Sequence, residues 1–310
     1  MKSKLTITSF ITLLILSIWC LVIIATGNSL PGLSNGNSNN IKIAAQNMTE
    51  SEIIAQIDKQ MIEHYTNYHV TIIPNLGSGV VTYNAQRHHM ADMSATRYMA
   101  TDQETVLHYP YRKGQTTKNI YHHLKKQFAK KGIDYLPSYG FADTYCWMIT
   151  QKTSKQKNIK TIGQLKPYAN SLKAGIDPMW ENMKGDGYKN FKKTYFSFGS
   201  IYPMQAGLVY QALAHNKLDI GLGYSTDGRI KDYNLKILKD NKNFFPPFEC
   251  SPAINFSTLH KYPKLKNVIL KLRNKISLKQ MQYMNSQVDS HFKSTKTVAH
   301  NFLTKNNYFK

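Results

Sequence analysis

The chain is short of acid. Of 310 residues only 18 are Asp or Glu, against 40 Lys or Arg, and the formal charge is +22. So few carboxylates leave little material for paired acid–base catalysis. Cysteine is scarcer still: Cys20, Cys146 and Cys250 are all there is, with no Cys-x-x-Cys. There is no His-Glu-x-x-His either, and the adjacent pairs His88-His89 and His122-His123 would point apart on a helix. No metal site and no cofactor are therefore expected. Gly77-Ser78-Gly79 lacks the Lys-Ser/Thr that would make it a phosphate loop. Arginine is rare beside lysine, which argues against bidentate reading of phosphates or bases, so no nucleic-acid partner is expected. Nothing orders a Ser/His/Asp set, and the chain is not expected to be an enzyme.

What is present begins at the N-terminus. Lys2 and Lys4 precede a charge-free run from Ile7 to Ala25. That length approaches a spanning helix, and the lysines ahead of it place the rest of the chain outside the cell. Residues 1–27 are read as a signal peptide or, preferably, an uncleaved anchor, so that the protein sits on the extracellular face of the plasma membrane. A lipid anchor fits less well. Trp19 spoils a lipobox at Cys20, and Asn28 stands where the cysteine after Thr26-Gly27 would be. Residues 28–40, rich in Gly, Ser and Asn, read as a flexible tether. The dispersed lysine coat suits a neighbourhood of anionic lipid or cell-wall polymer.

The 310 residues can hold two ordinary domains. Ile41-Lys42-Ile43-Ala44-Ala45 is a first strand ending at Gln46-Asn47, with Thr49 and Glu52 spaced as a capping box for the helix that follows. Asp219 to Gly223 is a short apolar run after a helical pattern, which suits a buried parallel strand, and it ends in Tyr224 and a polar turn. Upstream, Asp92 to Tyr98 has the same build. Gln46, Tyr98 and Tyr224 thus fall at carboxyl ends of strands, where open α/β sheets bind ligands. Spacing alone leaves two readings: a clamshell of two similar lobes, or two unrelated core strands ending in ordinary tyrosines. Ser138–Trp147 and Phe244–Cys250 are aromatic and extended, and read as two crossings between lobes. Ile162–Pro167 reads as a helix, Lys184–Tyr188 as a loop, and Pro252 onward as two helical patterns packing on the first lobe.

Rings are plentiful: 12% of residues are aromatic and 20 are tyrosine. A quaternary ammonium cannot donate an ordinary hydrogen bond, so a site must hold it by cation–π attraction and exclusion of water. Three or four rings supply roughly 4–6 kcal/mol. Polar contacts to the rest of the ligand would carry this to about −8 kcal/mol, a micromolar dissociation constant.

Several stretches carry a resemblance: Ser29–Leu33, Ile43–Asn47, Ser94–Tyr98, Ser138–Ala142, Lys184–Tyr188, Tyr202–Gln205, Gly223–Arg229 and Phe244–Pro247. From about Ser29 to its end the chain resembles the substrate-binding subunits of osmoprotectant ABC transporters, the glycine betaine/carnitine/choline-binding family of Gram-positive bacteria. The resemblance implies an α/β, two-lobed periplasmic-binding-protein fold, type II-like, with a hinge of two crossing strands. Lobe 1 would comprise residues 41–144 and 249–310, and lobe 2 residues 145–248. It implies capture of a quaternary ammonium solute for a membrane permease and its ATPase. It also implies a cage of four tyrosines, three of which fall on Tyr98, Tyr145 and Tyr224. The fourth falls on Phe248, which keeps the π face and loses the hydroxyl. The family's glutamine falls on Gln46 and its cage-side threonine on Thr101, which leans toward broad specificity. Asp143 stands where asparagine is expected, and its charge leans toward choline. Cys146 and Cys250 lie beside cage positions on the two crossings, where the family has small residues. They are expected either to form a disulfide across the hinge or, preferably, to be two separate buried thiols. The competing reading of the whole chain is a surface protein that binds cell-wall or other anionic polymer through its lysines.

Overall fold

Two five-stranded sheets organise the molecule. The computed structural model describes residues 39–309 except Lys113 and Lys184. The Ile7–Ala25 run, Cys20, Asn28, the tether up to residue 38, and Lys184 of the expected loop lie outside the described residues. Among those described, no helix is long and apolar enough to cross a membrane. From Ile41 onward the chain forms one compact unit.

The first sheet has the order β2-β1-β3-β10-β4. Its strands are β1 (Asn40–Gln46), β2 (His69–Leu76), β3 (Met93–Tyr98), β4 (Ile133–Tyr135) and β10 (Cys250–Asn255). β3 lies between β1 and β10 and is buried along its whole length, which is why its sequence does not alternate. Helix α1 (Thr49–Tyr65) buries Ile53, Ile54, Ile57, Met61 and Ile62, a helical stripe. Helix α2 (Gly79–Arg87) is capped by Ser78, which accepts from the Val81 amide. Helix α3 (Thr117–Ala129) buries Ile120, Leu124 and Phe128 at four-residue spacing.

The second sheet has the order β7-β6-β8-β5-β9. Its strands are β5 (Tyr145–Thr150), β6 (Lys173–Ile176), β7 (Ser200–Pro203), β8 (Ile220–Tyr224) and β9 (Leu235–Ile237). Helix α4 (Ala206–Ala214) leads into β8 and supplies Tyr210, whose hydroxyl accepts from the Tyr224 amide at 2.8 Å. Helices α5 (Leu278–Asp289) and α6 (Thr295–Lys305) return to pack on α1. The layers built on the first and second sheets are called lobe 1 and lobe 2 below.

The two sheets repeat one plan. A central parallel pair, β1/β3 in one and β6/β8 in the other, is flanked by an antiparallel crossing strand, β10 or β5. The Lys42 amide donates to an Asp92 carboxylate oxygen at 2.7 Å while the Asp92 amide donates to the Lys42 carbonyl at 2.8 Å. The Lys173 amide and Asp219 make the same two bonds at 2.8 and 3.0 Å. The crossings lie side by side: Ala142 bridges Glu249, and the Asp143 amide donates to the Phe248 carbonyl at 3.2 Å. Gly140, just before the first crossing, holds φ at +114°, and a Cβ there would stand 2.8 Å from the Asn274 Cα.

Two local expectations need correction, and the helix expected at Ile162–Pro167 is refined. The Thr49/Glu52 capping box does not form. Met48 is the N-cap, and the Thr49 hydroxyl donates instead to Asp289 of α5 at 2.6 Å. Ile162–Ser171 is a 3₁₀ helix, with Pro167 inside it and a capping box of Thr161 and Gln164 at its start. Pro252 belongs to β10, where the ladder is irregular between Ser251 and Ala253, and four helices follow it rather than two.

Candidate functional site

Strand ends position Tyr98, Tyr145 and Tyr224, and the segment before β10 positions Phe248. Tyr145 opens β5 and Tyr224 closes β8, and the antiparallel register sets them directly opposite one another. Their ring centroids are 5.1 Å apart with planes 34° from parallel. Phe248 meets Tyr145 edge to face at 6.1 Å. Two further rings, Phe245 and Trp180, each approach Tyr145 at 6.3 Å. Tyr98 closes β3 and pairs with Cys250 of β10. Among the described residues no ring contact joins Tyr98 to Tyr145, Tyr224 or Phe248. Those three form one ring cluster, and Tyr98 stands apart from it.

The tyrosines are tethered to carboxylates. The Tyr98 hydroxyl donates to Glu50 Oε1 at 2.5 Å. The Tyr224 hydroxyl reaches Asp177 Oδ2 at 3.4 Å. Burial pushes the Tyr224 phenol up to about 12 and raises Tyr98 and Tyr145 as well, so the rings present neutral π faces. Asp143 is buried and accepts from the Thr226 hydroxyl at 2.8 Å. Burial raises its carboxyl to about 6, with Thr226 opposing and Asp227 adding to the rise. Glu50 is raised to about 8, first by burial and then by Asp143, against hydrogen bonds from Tyr98, Thr226 and Asn285. Asp186, buried across from Glu104, is raised to about 6 for the same first reason.

The other expected positions divide. Gln46 is buried at the end of β1, but its Nε2 turns inward to the Thr96 carbonyl and hydroxyl at 3.3 and 3.4 Å. Thr101 is half-buried in the turn after β3, and its carbonyl accepts from the Thr105 hydroxyl at 2.7 Å. Cys146 and Cys250 are not bridged: both thiols are free and buried. Cys146 faces the apolar cluster of Met148, Val209 and Tyr210 in lobe 2, whereas Cys250 lies in the lobe 1 sheet opposite Tyr98. The disulfide alternative fails because neighbouring crossings send the two side chains into different cores. A cavity of about 530 Å³ touches Tyr145 and Phe248 but neither Tyr98 nor Tyr224, so it is not the space between the rings.

Sequence reasoning missed Glu50, Asp177, Trp180 and Phe245. Glu50 is one of two acids in the first turn of α1, where the helix dipole favours them, and nothing within that turn sets it apart. The signal available was its place four residues beyond the end of β1.

Residues 39–305 match the model of the substrate-binding domain of ABC-type glycine betaine transport systems. The chain belongs to this family. It is 43% identical over 287 residues, 91% of each chain, to the carnitine transport binding protein OpuCC of Listeria monocytogenes. It is 25% identical over 276 residues to a glycine-betaine-binding protein of Pseudomonas aeruginosa, covering 85% of this chain and 86% of that one. A crystal structure of a glycine betaine/carnitine/choline ABC transporter protein superposes with a TM-score of 0.83 at 42% identity, over 87% of this chain and all of the other. Family membership gives the two sheets their meaning as the two lobes of a transport binding protein.

Proposed function

We propose that the chain captures quaternary ammonium compatible solutes, of the glycine betaine, carnitine and choline type, for an ABC importer. The single observation that carries this is the meeting of Tyr145, Tyr224 and Phe248 at the seam; Tyr98, at the end of a strand in the other sheet, would join them as the fourth ring. Lobe 1 (41–144 and 249–310) and lobe 2 (145–248) close on the ligand about the paired crossings. The rings enclose the methylated nitrogen, and Gln46, Thr101 and Asp143 serve the polar remainder. Gln46 would have to release Thr96 to do so, which closure or ligand can drive. A permease and its ATPase are the partners. The Ile7–Ala25 segment holds the protein at the outer face of the membrane, and the tether gives it reach.

The test is calorimetric titration of the full chain, held in non-ionic detergent, with glycine betaine, carnitine and choline. Micromolar binding of at least one, weakened about tenfold or more in Tyr224→Ala, is the expected result. Binding indifferent to Tyr224→Ala, or none with any of the three, overturns it.

A further inference from the structure

This chain carries 40 cationic side chains and only 18 acidic ones, yet acids gather at the rings. Glu50 holds the Tyr98 hydroxyl and Asp177 the Tyr224 hydroxyl. Asp143 acts electrostatically on both Tyr98 and Tyr224, and Asp186 on Tyr145. Among the described residues no lysine or arginine forms an ion pair with Glu50 or Asp143; the four such pairs lie elsewhere. Arg229, the cation beside this region, is held by Asp227 through two side-chain hydrogen bonds. A buried carboxylate without a cation is costly, and it relieves the cost by keeping its proton or by receiving a cation from outside. Two more acceptors point the same way. Asn285 Oδ1, on the side chain that approaches Glu50, and Asp186 Oδ2 are both buried without a hydrogen-bond partner.

Resting on the reading of these rings as a cage, we propose that the site is built for a ligand of net positive charge. In this reading the Glu50–Asp143 pair releases a proton to solvent when such a cation binds. A zwitterion brings its own carboxylate toward the buried Glu50–Asp143 pair. A cation that lacks one, such as choline, supplies the missing counter-charge. No covalent bond forms. The proton leaves a carboxyl oxygen of the pair for the buffer, and the ligand cation takes over its electrostatic role.

The groups that face the pair are few. Glu50 meets Tyr98 from β3, Asp143 from the first crossing, Thr226 from the turn after β8, Asn285 from α5 and the Cys250 thiol from β10. Asp143 accepts from Thr226 and interacts electrostatically with Asp227, Tyr224 and the Cys146 and Cys250 thiols. Phenols and thiols here are raised by burial and stay neutral, so among the groups facing the pair its own two carboxyls titrate near neutrality; Asp186, beside Tyr145, is raised to about 6 as well, and the Glu50→Gln variant separates its contribution. Linkage then makes the affinity for a cation rise with pH as the pair gives up its proton, by up to about tenfold per pH unit for one proton. A zwitterion gains far less.

The experiment is titration of the full chain in non-ionic detergent with choline and with glycine betaine at pH 6, 7 and 8. It is run in two buffers of different ionisation enthalpy, so that protons released are counted. We expect choline to bind at least about tenfold tighter at pH 8 than at pH 6, with measurable proton release, and glycine betaine to shift by less than about threefold. In Glu50→Gln the choline slope should largely vanish, with an unchanged far-UV circular dichroism spectrum and a cooperative melting transition reporting that the variant folds. Asp143→Asn should flatten the lower end of the same curve. Choline binding that is flat with pH, or a slope unchanged in Glu50→Gln, overturns the proposal and leaves the cage standing. If none of choline, betaine and carnitine binds at any pH, the cage reading itself has failed.

Discussion

The two lobes share a frame and differ in how they finish it. Lys42/Asp92 and Lys173/Asp219 make the same pair of hydrogen bonds at the start of the central strands. Each parallel pair then ends in a tyrosine tethered to a carboxylate. In lobe 1 the tether is short and sealed, Tyr98 to Glu50 at 2.5 Å with both groups buried. In lobe 2 it is long, Tyr224 to Asp177 at 3.4 Å, and both groups are half-buried. The arginines follow suit. Arg97 is 0% exposed at its side chain and spans Asp102, the Gly79 carbonyl and the Thr82 hydroxyl, while Arg229, on Asp227, is 31% exposed. In the proposed cage, lobe 1 would thus present a preset wall and lobe 2 a wall with room to adjust.

The sharpest break in that comparison is at the arginines. Arg97→Ala leaves Asp102 buried without its cation, and we expect a loss of about 3–5 kcal/mol of stability. Arg229→Ala removes a solvent-screened pair and should cost under about 1 kcal/mol. Chemical denaturation of the two variants measures both. Similar losses would show that the lobes are not finished differently.

The acids add a dependence on pH. The folded protein keeps the Glu50 proton up to about pH 8, whereas the unfolded chain releases it near its ordinary 4.5. The folded state thus binds more protons across that window, so the stability from this group is full below pH 4.5 and is lost as pH rises toward 8. Asp143 adds a similar loss between 3.8 and about 6. Glu50→Gln should flatten the fall in melting temperature above pH 6. An unchanged slope in that variant would assign the loss to other groups.

Contact between the lobes can be pried open at one glycine. A Cβ at Gly228, in lobe 2, would stand 2.4 Å from the Ser286 nitrogen on α5. Here the neighbour is helix backbone and cannot give. We expect Gly228→Ala to cost about 1–3 kcal/mol of stability, the usual range for overpacking, read by chemical denaturation. An unchanged midpoint would mean that this contact can part without strain.

Much of this was legible in the residues. Asp92/Tyr98 and Asp219/Tyr224 announced the repeated plan because buried parallel strands and their polar ends leave a local pattern. The aromatic crossings were visible as extended runs. What was not legible depends on distant chain. Thr49 reads as a capping residue until Asp289, 240 positions later, takes its hydroxyl. Glu50 reads as a helix-dipole acid until Tyr98 and Asn285 close over it. Gln46 was rightly placed at a strand end, but nothing local says that its amide turns to Thr96. Cys146 and Cys250 sit on neighbouring crossings, and only the direction in which each strand faces decides that they do not meet.

The finest test removes one oxygen from each tethered tyrosine. Tyr98→Phe deprives buried Glu50 of its short donor and leaves Thr226 and the 3.5 Å approach of Asn285 Nδ2 on the carboxyl's other oxygen. An unmet buried acceptor of this kind costs about 1–2 kcal/mol, read by denaturation. Tyr224→Phe breaks a 3.4 Å contact to half-buried Asp177, where water can replace the hydroxyl, and the pairing with the Tyr145 hydroxyl, so the expected change is smaller, under about 1 kcal/mol. Both variants keep the π face, so neither should abolish binding of a quaternary ammonium. If Tyr224→Phe proved as damaging as Tyr98→Phe, the lobe 2 tether would be as rigid as its counterpart, and the adjustable wall would have to be sought elsewhere in the seam.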